Sequence, residues 1–151
     1  MRINSHSVND TIKIGRRIAS VLERSDIVCL FGSLGSGKTV LTKGIASGLG
    51  AEGNKIVSPS FVLIRAYPEA RIALYHFDLY RLKVPQDILG LGYEEYLYGE
   101  GVSIIEWADR LGSLLPEEYL KVKLEVRGEN ERSIEFLPRG KRYEALVKEL
   151  A

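Results

Sequence analysis

Apolar residues recur at helical spacing in two places near the start of the chain, and one uninterrupted apolar run lies between them. The spacing predicts an amphipathic helix over residues 7–24, whose apolar face consists of Ile14, Ile18, Val21 and Leu22. The continuous run Ile27–Phe31 is typical of a strand that is covered on both faces. A second helix is predicted over Thr39–Leu49, where one stripe contains Leu41, Ile45 and Leu49.

Shorter patterns follow in the rest of the chain. They predict strands over Phe61–Ala66, Ile72–Asp78 and Val102–Glu106, and a helical stretch over Pro85–Leu97. Near the C-terminus, "YLKVKLEV" alternates apolar and polar residues, "RGEN" is typical of a turn, and "SIEFL" returns, which predicts an antiparallel hairpin. A closing helix is predicted over Lys141–Leu150. This succession indicates a single α/β domain over residues 1–151, with helices on both faces of a sheet.

The turn after the first apolar run carries the strongest chemical signal. The segment "GSLGSGKT", Gly32–Thr39, fits the Walker A pattern, follows a predicted strand and opens a predicted helix. Glycines let successive backbone N–H groups converge on a polyphosphate, and the N-terminus of the helix favours the anion. Lys38 is expected to reach the β- and γ-phosphates, and the Thr39 hydroxyl is expected to bind Mg²⁺. The sheet is therefore expected to be of the P-loop NTPase type, mainly parallel with antiparallel strands added.

Two acidic residues end predicted strands and could complete such a site. Glu106 and Asp78 each follow an apolar strand, and one could hold the metal, directly or through water, while the other positions the attacking water; a functional role is favoured more strongly for Glu106. Either residue could instead cap a neighbouring helix. The segment "DILG" resembles the D-x-x-G motif of GTPases, but a proline just before it argues against a central strand there. No segment specifies guanine, so ATP is the expected nucleotide.

Three further features leave alternatives open. His76, in a predicted strand, is about as consistent with a buried core residue as with a catalytic one. Trp107 could line the nucleotide pocket or pack at the edge of the domain. The segment "SPS", which ends at Ser60, could be an ordinary turn or a loop that senses the γ-phosphate.

Composition and charge narrow the functional classes. The chain is 45% hydrophobic and 27% charged, with a formal net charge of +1, which argues against a protein that grips RNA strongly by itself. Cys29 is the single cysteine, so no disulfide framework is possible and a buried thiol is expected. The start of the chain lacks the apolar stretch of a signal peptide, and we expect a cytoplasmic protein that does not contact membranes.

The segments "GSLGSGKT", "VSPSF", "HFDLYRL" and "IIEWADRL", in this order, resemble the bacterial TsaE family, and the similarity extends from Thr11 to about Leu137. Members are small P-loop ATPases needed to make threonylcarbamoyladenosine in tRNA. The resemblance implies that the protein binds ATP and Mg²⁺ and joins the TsaB–TsaD pair. Hydrolysis would sustain turnover of that complex, which transfers the threonylcarbamoyl group to the adenosine beside the anticodon. The protein would meet tRNA indirectly, through the complex.

The resemblance also implies roles for individual residues. Lys38, Asp78 and Glu106 match the catalytic positions, and Thr39 and Glu106 match the metal partners. Thr11 matches a threonine near the base, Trp107 a tryptophan beside the nucleotide, and Arg132 an arginine in the last hairpin. The candidate nucleotide contacts are Thr11, Gly32, Ser33, Leu34, Gly35, Ser36, Gly37, Lys38, Thr39, Val40, Ser60, Trp107 and Arg132.

Two positions depart from the family pattern. Ser33 stands where an acid is usual, and Ser60 stands where threonine is usual. The second change keeps the hydroxyl. The first removes an acid from the P-loop, which could weaken catalysis while leaving the phosphate cradle intact.

Two other functions compete with a partner-dependent ATPase. A small-molecule P-loop kinase would need an arginine-rich lid, but the arginines of this chain are scattered. The second is a nucleotide-gated binding module, in which hydrolysis is incidental. The sequence does not distinguish this function from that of a partner-dependent ATPase. No arginine is obviously placed as an internal finger, with Arg81 the nearest candidate, so low activity without a partner is expected.

Overall fold

The protein folds around one mixed sheet with helices on both faces. The computed structural model describes residues 1–51 and 63–151, and in this part of the chain seven strands have the order β1-β7-β6-β2-β5-β4-β3. The strands are β1 Arg2–Ser5, β2 Ile27–Phe31, β3 Ile64–Tyr67, β4 Leu74–Asp78, β5 Val102–Glu106, β6 Tyr119–Val126 and β7 Arg132–Arg139. The helices are α1 Val8–Val21, α2 Lys38–Gly48, α3 Tyr93–Leu97 and α4 Lys141–Leu150, with 3₁₀ helices at Pro85–Leu91 and Ala108–Leu114. The predicted α/β class is confirmed.

The centre of the sheet is parallel and both sides of it are antiparallel. Strands β4, β5, β2 and β6 run parallel, while β3 pairs antiparallel with β4, and β7 lies antiparallel between β6 and β1. The register sets Glu106 opposite both Leu30 of β2 and Asp78 of β4. The carboxyl ends of three parallel strands therefore meet where the glycine-rich turn begins, the usual place for a ligand site in an open α/β sheet.

Several predicted elements differ from the observed ones at their boundaries. Helix α1 ends at Val21, because Leu22 adopts an extended conformation and turns into the core. The helical stretch Pro85–Leu97 is divided into a 3₁₀ helix and α3 at Gly92. The strand predicted over Phe61–Ala66 is observed as Ile64–Tyr67, and its first two residues lie outside the described ranges. Strand β1 and the 3₁₀ helix Ala108–Leu114 were not predicted.

The core consists of two apolar clusters, one on each face of the sheet. Helices α1, α2 and α4 cover one face, where Ile18, Leu41 and Leu146 are fully buried. The short helices cover the other face, on which Phe77 and Ile105 are fully buried. Burying each such side chain contributes about 2 kcal/mol relative to leaving it exposed. A membrane-spanning helix needs about 20 mostly apolar residues, and none of the helices within residues 1–51 and 63–151 meets that requirement.

Helices α1 and α2 pack against each other through glycine. A Cβ atom added to Gly44 would lie 2.4 Å from the carbonyl oxygen of Ile12, and one added to Gly15 would lie 2.7 Å from the backbone nitrogen of Ile45. Real Cβ atoms do not approach backbone that closely, so the two helices touch backbone to backbone. This contact sets the separation between Thr11 on α1 and Lys38 at the start of α2.

Candidate functional site

The glycine-rich turn has a backbone that requires glycine. Gly35 and Gly37 have φ values of 79° and 103°, in the left-handed region that other residues avoid. A Cβ on Gly32 would lie 2.5 Å from the Ser36 Oγ and 2.7 Å from the Leu124 carbonyl oxygen. Gly37 is also the N-cap of α2 and supplies no side-chain acceptor, so the first N–H groups of the helix remain for an anion.

Lys38 lies inside the turn and contacts its backbone. The residue is only 5% exposed, and its Nζ donates hydrogen bonds to the carbonyl oxygens of Gly32 at 2.6 Å and Ser33 at 2.9 Å. Burial lowers the pKa of Lys38, and the negative charges of Glu106, Asp78 and Asp109 partly oppose that shift. The site thus holds an ammonium group in a partly desolvated position, where its attraction to an anion is screened less than in water.

Thr39 and Glu106 come together at the carboxyl edge of the sheet. The Thr39 Oγ1 donates a hydrogen bond of 2.8 Å to the Glu106 Oε1, and Glu106 is 2% exposed at the end of β5. The other carboxylate oxygen, Oε2, accepts a hydrogen bond from the His76 Nε2. A hydroxyl and a carboxylate at this distance form the donor pair that P-loop proteins use for Mg²⁺.

Asp78 lies one strand away from Glu106 and is also buried, at 7% exposure. Its Oδ1 accepts a hydrogen bond of 3.1 Å from the backbone N–H of Tyr80, which holds the segment after β4 in a turn. Strand register alone brings Asp78 and Glu106, which are 28 positions apart in the chain, to the same end of the sheet. Both candidate acids therefore contribute to one site.

Trp107 covers one side of the site. It has φ 57°, an uncommon left-handed conformation for a tryptophan. The Lys38 Nζ lies 4.0 Å from the centre of its ring, and the rings of Tyr80 and Trp107 are 5.1 Å apart. The Arg110 guanidinium lies 5.6 Å from the same indole ring. The tryptophan is thus fixed in a stack with the site lysine, in a cation–π contact.

Arg132 ties the β6–β7 turn to the glycine-rich turn. Its Nη2 donates a hydrogen bond of 3.2 Å to the Gly35 carbonyl oxygen, and its Nη1 donates to the carbonyl oxygens of Gly128 and Glu131 at 3.0 and 2.9 Å. On the other wall, the Thr11 and Ser5 hydroxyls are 2.7 Å apart. The Arg132 contact attaches the β6–β7 turn to the P-loop, and the Ser5–Thr11 contact joins β1 to α1.

These elements surround a pocket of about 440 Å³, within the range of small-molecule sites. Most of the candidate residues line it, namely Thr11, Leu34, Gly35, Ser36, Gly37, Lys38, Thr39, Val40, Asp78, Glu106, Trp107 and Arg132. Gly32 and Ser33 contribute backbone carbonyls to Lys38 rather than pocket wall. Ser60 lies outside the described residues.

Sequence reasoning missed part of the pocket lining. The residues concerned are Ser7, Val8, Tyr80, Glu129 and Asn130. Arg81, which the sequence suggests only as an arginine finger, also lines the pocket. Tyr80 and Arg81 belong to the "HFDLYRL" segment, so the motif itself held a signal. The turn residues Glu129 and Asn130 had none, because only the packing of the hairpin brings them near the P-loop.

The residues present fit a nucleotide with Mg²⁺. The glycine backbone, a buried lysine and the Thr39–Glu106 pair supply the donors and acceptors such a ligand needs. In the part of the chain that the structure describes, no group of three or more His, Cys, Asp or Glu side chains could hold a metal alone. Mg²⁺ suits this arrangement, since it commonly binds through one or two protein oxygens, substrate phosphates and water.

Comparisons with known proteins indicate one family for this chain. The family described as "Threonylcarbamoyl adenosine biosynthesis protein TsaE" matches residues 5–134. Two proteins named tRNA threonylcarbamoyladenosine biosynthesis protein TsaE are each 41% identical to this chain. The one from Bacillus subtilis aligns over 94% of this chain and 88% of its own length, and the one from Treponema pallidum over 89% and 98%.

A solved structure is also similar to this one. The crystal structure of YdiB from Bacillus subtilis superimposes with a TM-score of 0.85 and 35% sequence identity, and the match covers 99% of this chain and 93% of that one. The family match, the identity to curated relatives and the shared fold all lead to the same conclusion. The chain belongs to the TsaE family.

Proposed function

We propose that this protein is a Mg²⁺-dependent ATPase that acts in tRNA threonylcarbamoyladenosine biosynthesis together with the TsaB–TsaD pair. Membership of the TsaE family supports the pathway. The nucleotide and the metal are inferred from the chemistry of the pocket, and the partners from the family resemblance. Contact with tRNA would be indirect, through the complex.

One observation carries the proposal. The Thr39 hydroxyl of the P-loop and the Glu106 carboxylate of β5 are in contact, 2.8 Å apart, beside a buried lysine. The chain thereby brings a phosphate cradle, a cation and a pair of metal-binding oxygens to one sheet edge. A site that merely bound an anion would not need the carboxylate there, because a buried negative charge opposes an anionic ligand.

The residues divide the work of hydrolysis between them. Lys38 would leave its carbonyl partners and place its charge beside the β- and γ-phosphates. Thr39 and Glu106 would hold Mg²⁺, which when bound neutralises negative charge that develops on the phosphate oxygens. Asp78, already oriented by the Tyr80 N–H, would accept a hydrogen bond from the attacking water and aim it.

The proposed activity is low without partners. Efficient P-loop hydrolysis depends on an arginine that stabilises the charge of the transition state. Arg132 lines the pocket, but its guanidinium is engaged by the carbonyl oxygens of Gly35, Gly128 and Glu131. Stimulation would then come from groups supplied or reordered by the TsaB–TsaD pair.

The test is ATP hydrolysis by the chain alone, then with TsaB, TsaD and tRNA. We expect slow turnover that requires Mg²⁺, rises with the TsaB–TsaD pair and is lost in Lys38→Ala. Formation of threonylcarbamoyladenosine in the same mixtures links hydrolysis to the pathway. Rates that ignore the partners would contradict the partner dependence. Stoichiometric phosphate transfer to a nucleoside monophosphate or a small alcohol would favour a kinase instead.

A further inference from the structure

A buried histidine contacts the proposed metal-binding carboxylate. His76 lies in the middle of β4 and is 0% exposed, and its Nε2 forms a hydrogen bond with the Glu106 Oε2. The Glu106 Oε1 is meanwhile bonded to the Thr39 hydroxyl. Each oxygen of this carboxylate therefore has a different partner, one from the P-loop and one from the neighbouring strand.

Strand geometry explains how the histidine reaches the carboxylate. His76 is opposite Ile104 in the β4–β5 register, and Asp78 is opposite Glu106. All four side chains point to the same face of the sheet, since paired residues and residues two apart share a face. His76 thus lies diagonally behind Glu106, one residue pair deeper in the core than the strand ends. Its imidazole supports the carboxylate from the side away from the pocket.

The hydrogen-bond network assigns the tautomer of this imidazole. An ionised carboxylate can only accept hydrogen bonds, so the Nε2 must carry the proton. The Nδ1 is buried and has no hydrogen-bond partner among the described residues. The contact with Glu106 is therefore made through an Nε2–H donor, and Nδ1 takes no part in it.

Packing alone does not account for a histidine at this position. Leu74 and Ile104, its neighbours on the same face of the sheet, are both fully buried and apolar. An apolar side chain of similar size would fill the space without burying an unpaired Nδ1. The cost of that atom is offset only by the bond that the other ring nitrogen makes to Glu106.

We propose that His76 is a positioning residue that fixes the Glu106 carboxylate, so that Oε1 is presented to the Thr39 hydroxyl and to Mg²⁺. The inference rests on the proposed function, since it concerns the metal of that site. Hydrogen bonds from outside the ligand shell commonly orient a ligating carboxylate, and their loss weakens metal binding. His76 itself contacts neither nucleotide nor metal in this role.

A pair of substitutions separates the hydrogen bond from the packing. His76→Gln retains an N–H donor where Nε2 lies, and His76→Met has a similar length and shape without a donor. The measurement is the affinity of a fluorescent ADP (N-methylanthraniloyl-ADP) during titration with MgCl₂, and again in EDTA. In EDTA we expect the same ADP affinity in all three proteins. The quantity compared is the Mg²⁺ concentration at which the change in ADP affinity is half complete. We expect this concentration to be at least about tenfold higher for His76→Met than for the unchanged protein, and within about threefold of it for His76→Gln.

A control variant removes general loss of packing as an explanation. Phe77 is the next residue of β4, is fully buried and points to the opposite face. Phe77→Leu should lower the melting temperature without changing the Mg²⁺ requirement. If His76→Met has the same Mg²⁺ requirement as the unchanged protein, or if His76→Gln is as defective as His76→Met, the positioning role is wrong. If the unchanged protein binds ADP without any effect of Mg²⁺, the metal part of the proposed function fails first.

A second measurement needs no variant of His76. The chain has only two histidines, so ¹⁵N spectra of histidine-labelled protein contain two imidazoles, and the exposed His6 is assigned by His6→Gln. We expect the remaining ring to carry a proton at Nε2. Protonation at Nδ1 alone would overturn the inference, because the bond to Glu106 would then have no proton.

Discussion

Two buried carboxylates, Asp26 and Glu106, lie at opposite ends of the parallel strands. Asp26 precedes β2 and is 3% exposed, and the Arg142 guanidinium donates to both of its oxygens, at 2.9 and 2.7 Å. The backbone N–H of Glu23 adds a third hydrogen bond of 2.7 Å. Glu106 ends β5 and is 2% exposed, but its hydrogen bonds come from a hydroxyl and an imidazole. In the described ranges it forms no ion pair with lysine or arginine.

The difference lies in what compensates the buried charge. Asp26 has a permanent cation in two-pronged contact, and this pair attaches the start of α4 to the end of α1, where Arg142 also donates to the Val21 carbonyl oxygen. The hydrogen bond to Asp26 in turn raises the pKa of Arg142. Glu106 has a hydroxyl and an imidazole as its bonding partners, and the Lys38 ammonium acts on it without a direct contact, so it keeps more attraction for a further cation than Asp26 does. A buried carboxylate that carries its own counter-ion is complete as structure, whereas Glu106 is prepared for a ligand.

The largest expected effect tests the structural carboxylate. Asp26→Asn leaves Arg142 partly buried beside a neutral amide, and we expect the free energy of unfolding to fall by about 3 kcal/mol. Urea denaturation measures this loss. ADP affinity and its Mg²⁺ requirement should not change, because Asp26 lies at the amino ends of the parallel strands, away from the P-loop. A large change in nucleotide binding with intact stability would remove the distinction between the two acids.

Glu106→Gln is the matched change at the other edge. Glutamine can still accept from His76 and pair with the Thr39 hydroxyl, so we expect the free energy of unfolding to change by less than about 1 kcal/mol. Mg²⁺-dependent hydrolysis should fall by about 100-fold. Partner-stimulated ATP hydrolysis is the readout. Normal tRNA modification by a Glu106→Gln variant that binds ATP would instead favour a nucleotide-gated module in which hydrolysis is dispensable.

The arginines Arg142 and Arg132 differ in the same way as the two carboxylates. Arg142 neutralises a carboxylate, whereas Arg132 is bonded to backbone carbonyls and joins the hairpin to Gly35. Arg132→Ala should weaken ADP binding about fivefold, because the P-loop loses a brace, with little change in hydrolysis per bound nucleotide. Equilibrium binding measures the effect.

Arg127→Ala is the control for charge at the same turn. Arg127 is exposed and forms a surface ion pair with Glu125 at 2.8 Å, so its removal should change ADP affinity less than about twofold. Equal losses in the two variants would indicate that the turn attracts nucleotide by charge rather than by bracing the loop.

The smallest effect concerns Lys38, the cationic counterpart of Glu106. Burial lowers its pKa below 10.5, so the unfolded chain binds more protons in the window between the lowered pKa and 10.5. The Lys38 contribution to stability therefore rises with pH through that window. Other groups titrate there too, so the measurement is the difference in urea stability between the unchanged protein and Lys38→Met. A difference that falls with pH would show that the folded state holds the extra proton.

Local sequence patterns were sufficient to predict the helices and strands that bury an apolar face. Strands β2 and β5 and helix α4 have the predicted bounds, because their side-chain periodicity reports burial directly. Strand β1 could not be found this way. Of its four residues only Ile3 is apolar, and the strand exists through antiparallel pairing with β7, about 130 positions away.

The site shows the same division. The Walker A turn is contiguous, so its fold and chemistry follow from one segment. The bond from His76 to Glu106 depends on strand order and on the diagonal between two strands, which periodicity does not reveal. The contact from Arg132 to Gly35 likewise depends on how the hairpin lies over the loop. Most residues that line the pocket could be predicted from local segments, whereas the contacts that hold them in place required the three-dimensional structure.

The close approach of α1 and α2 has a consequence for how this site can vary. Gly15 lies one turn beyond Thr11, and Gly44 lies less than two turns beyond Lys38. The separation of the two helices thus depends on two positions that carry a hydrogen atom where other residues carry a Cβ atom. Drift in sequence at the rim of the pocket changes one contact at a time. A single added carbon at the helix crossing would push α1 away from α2 and move Thr11 relative to Lys38. The spacing of these two pocket residues therefore depends on positions that do not line the pocket.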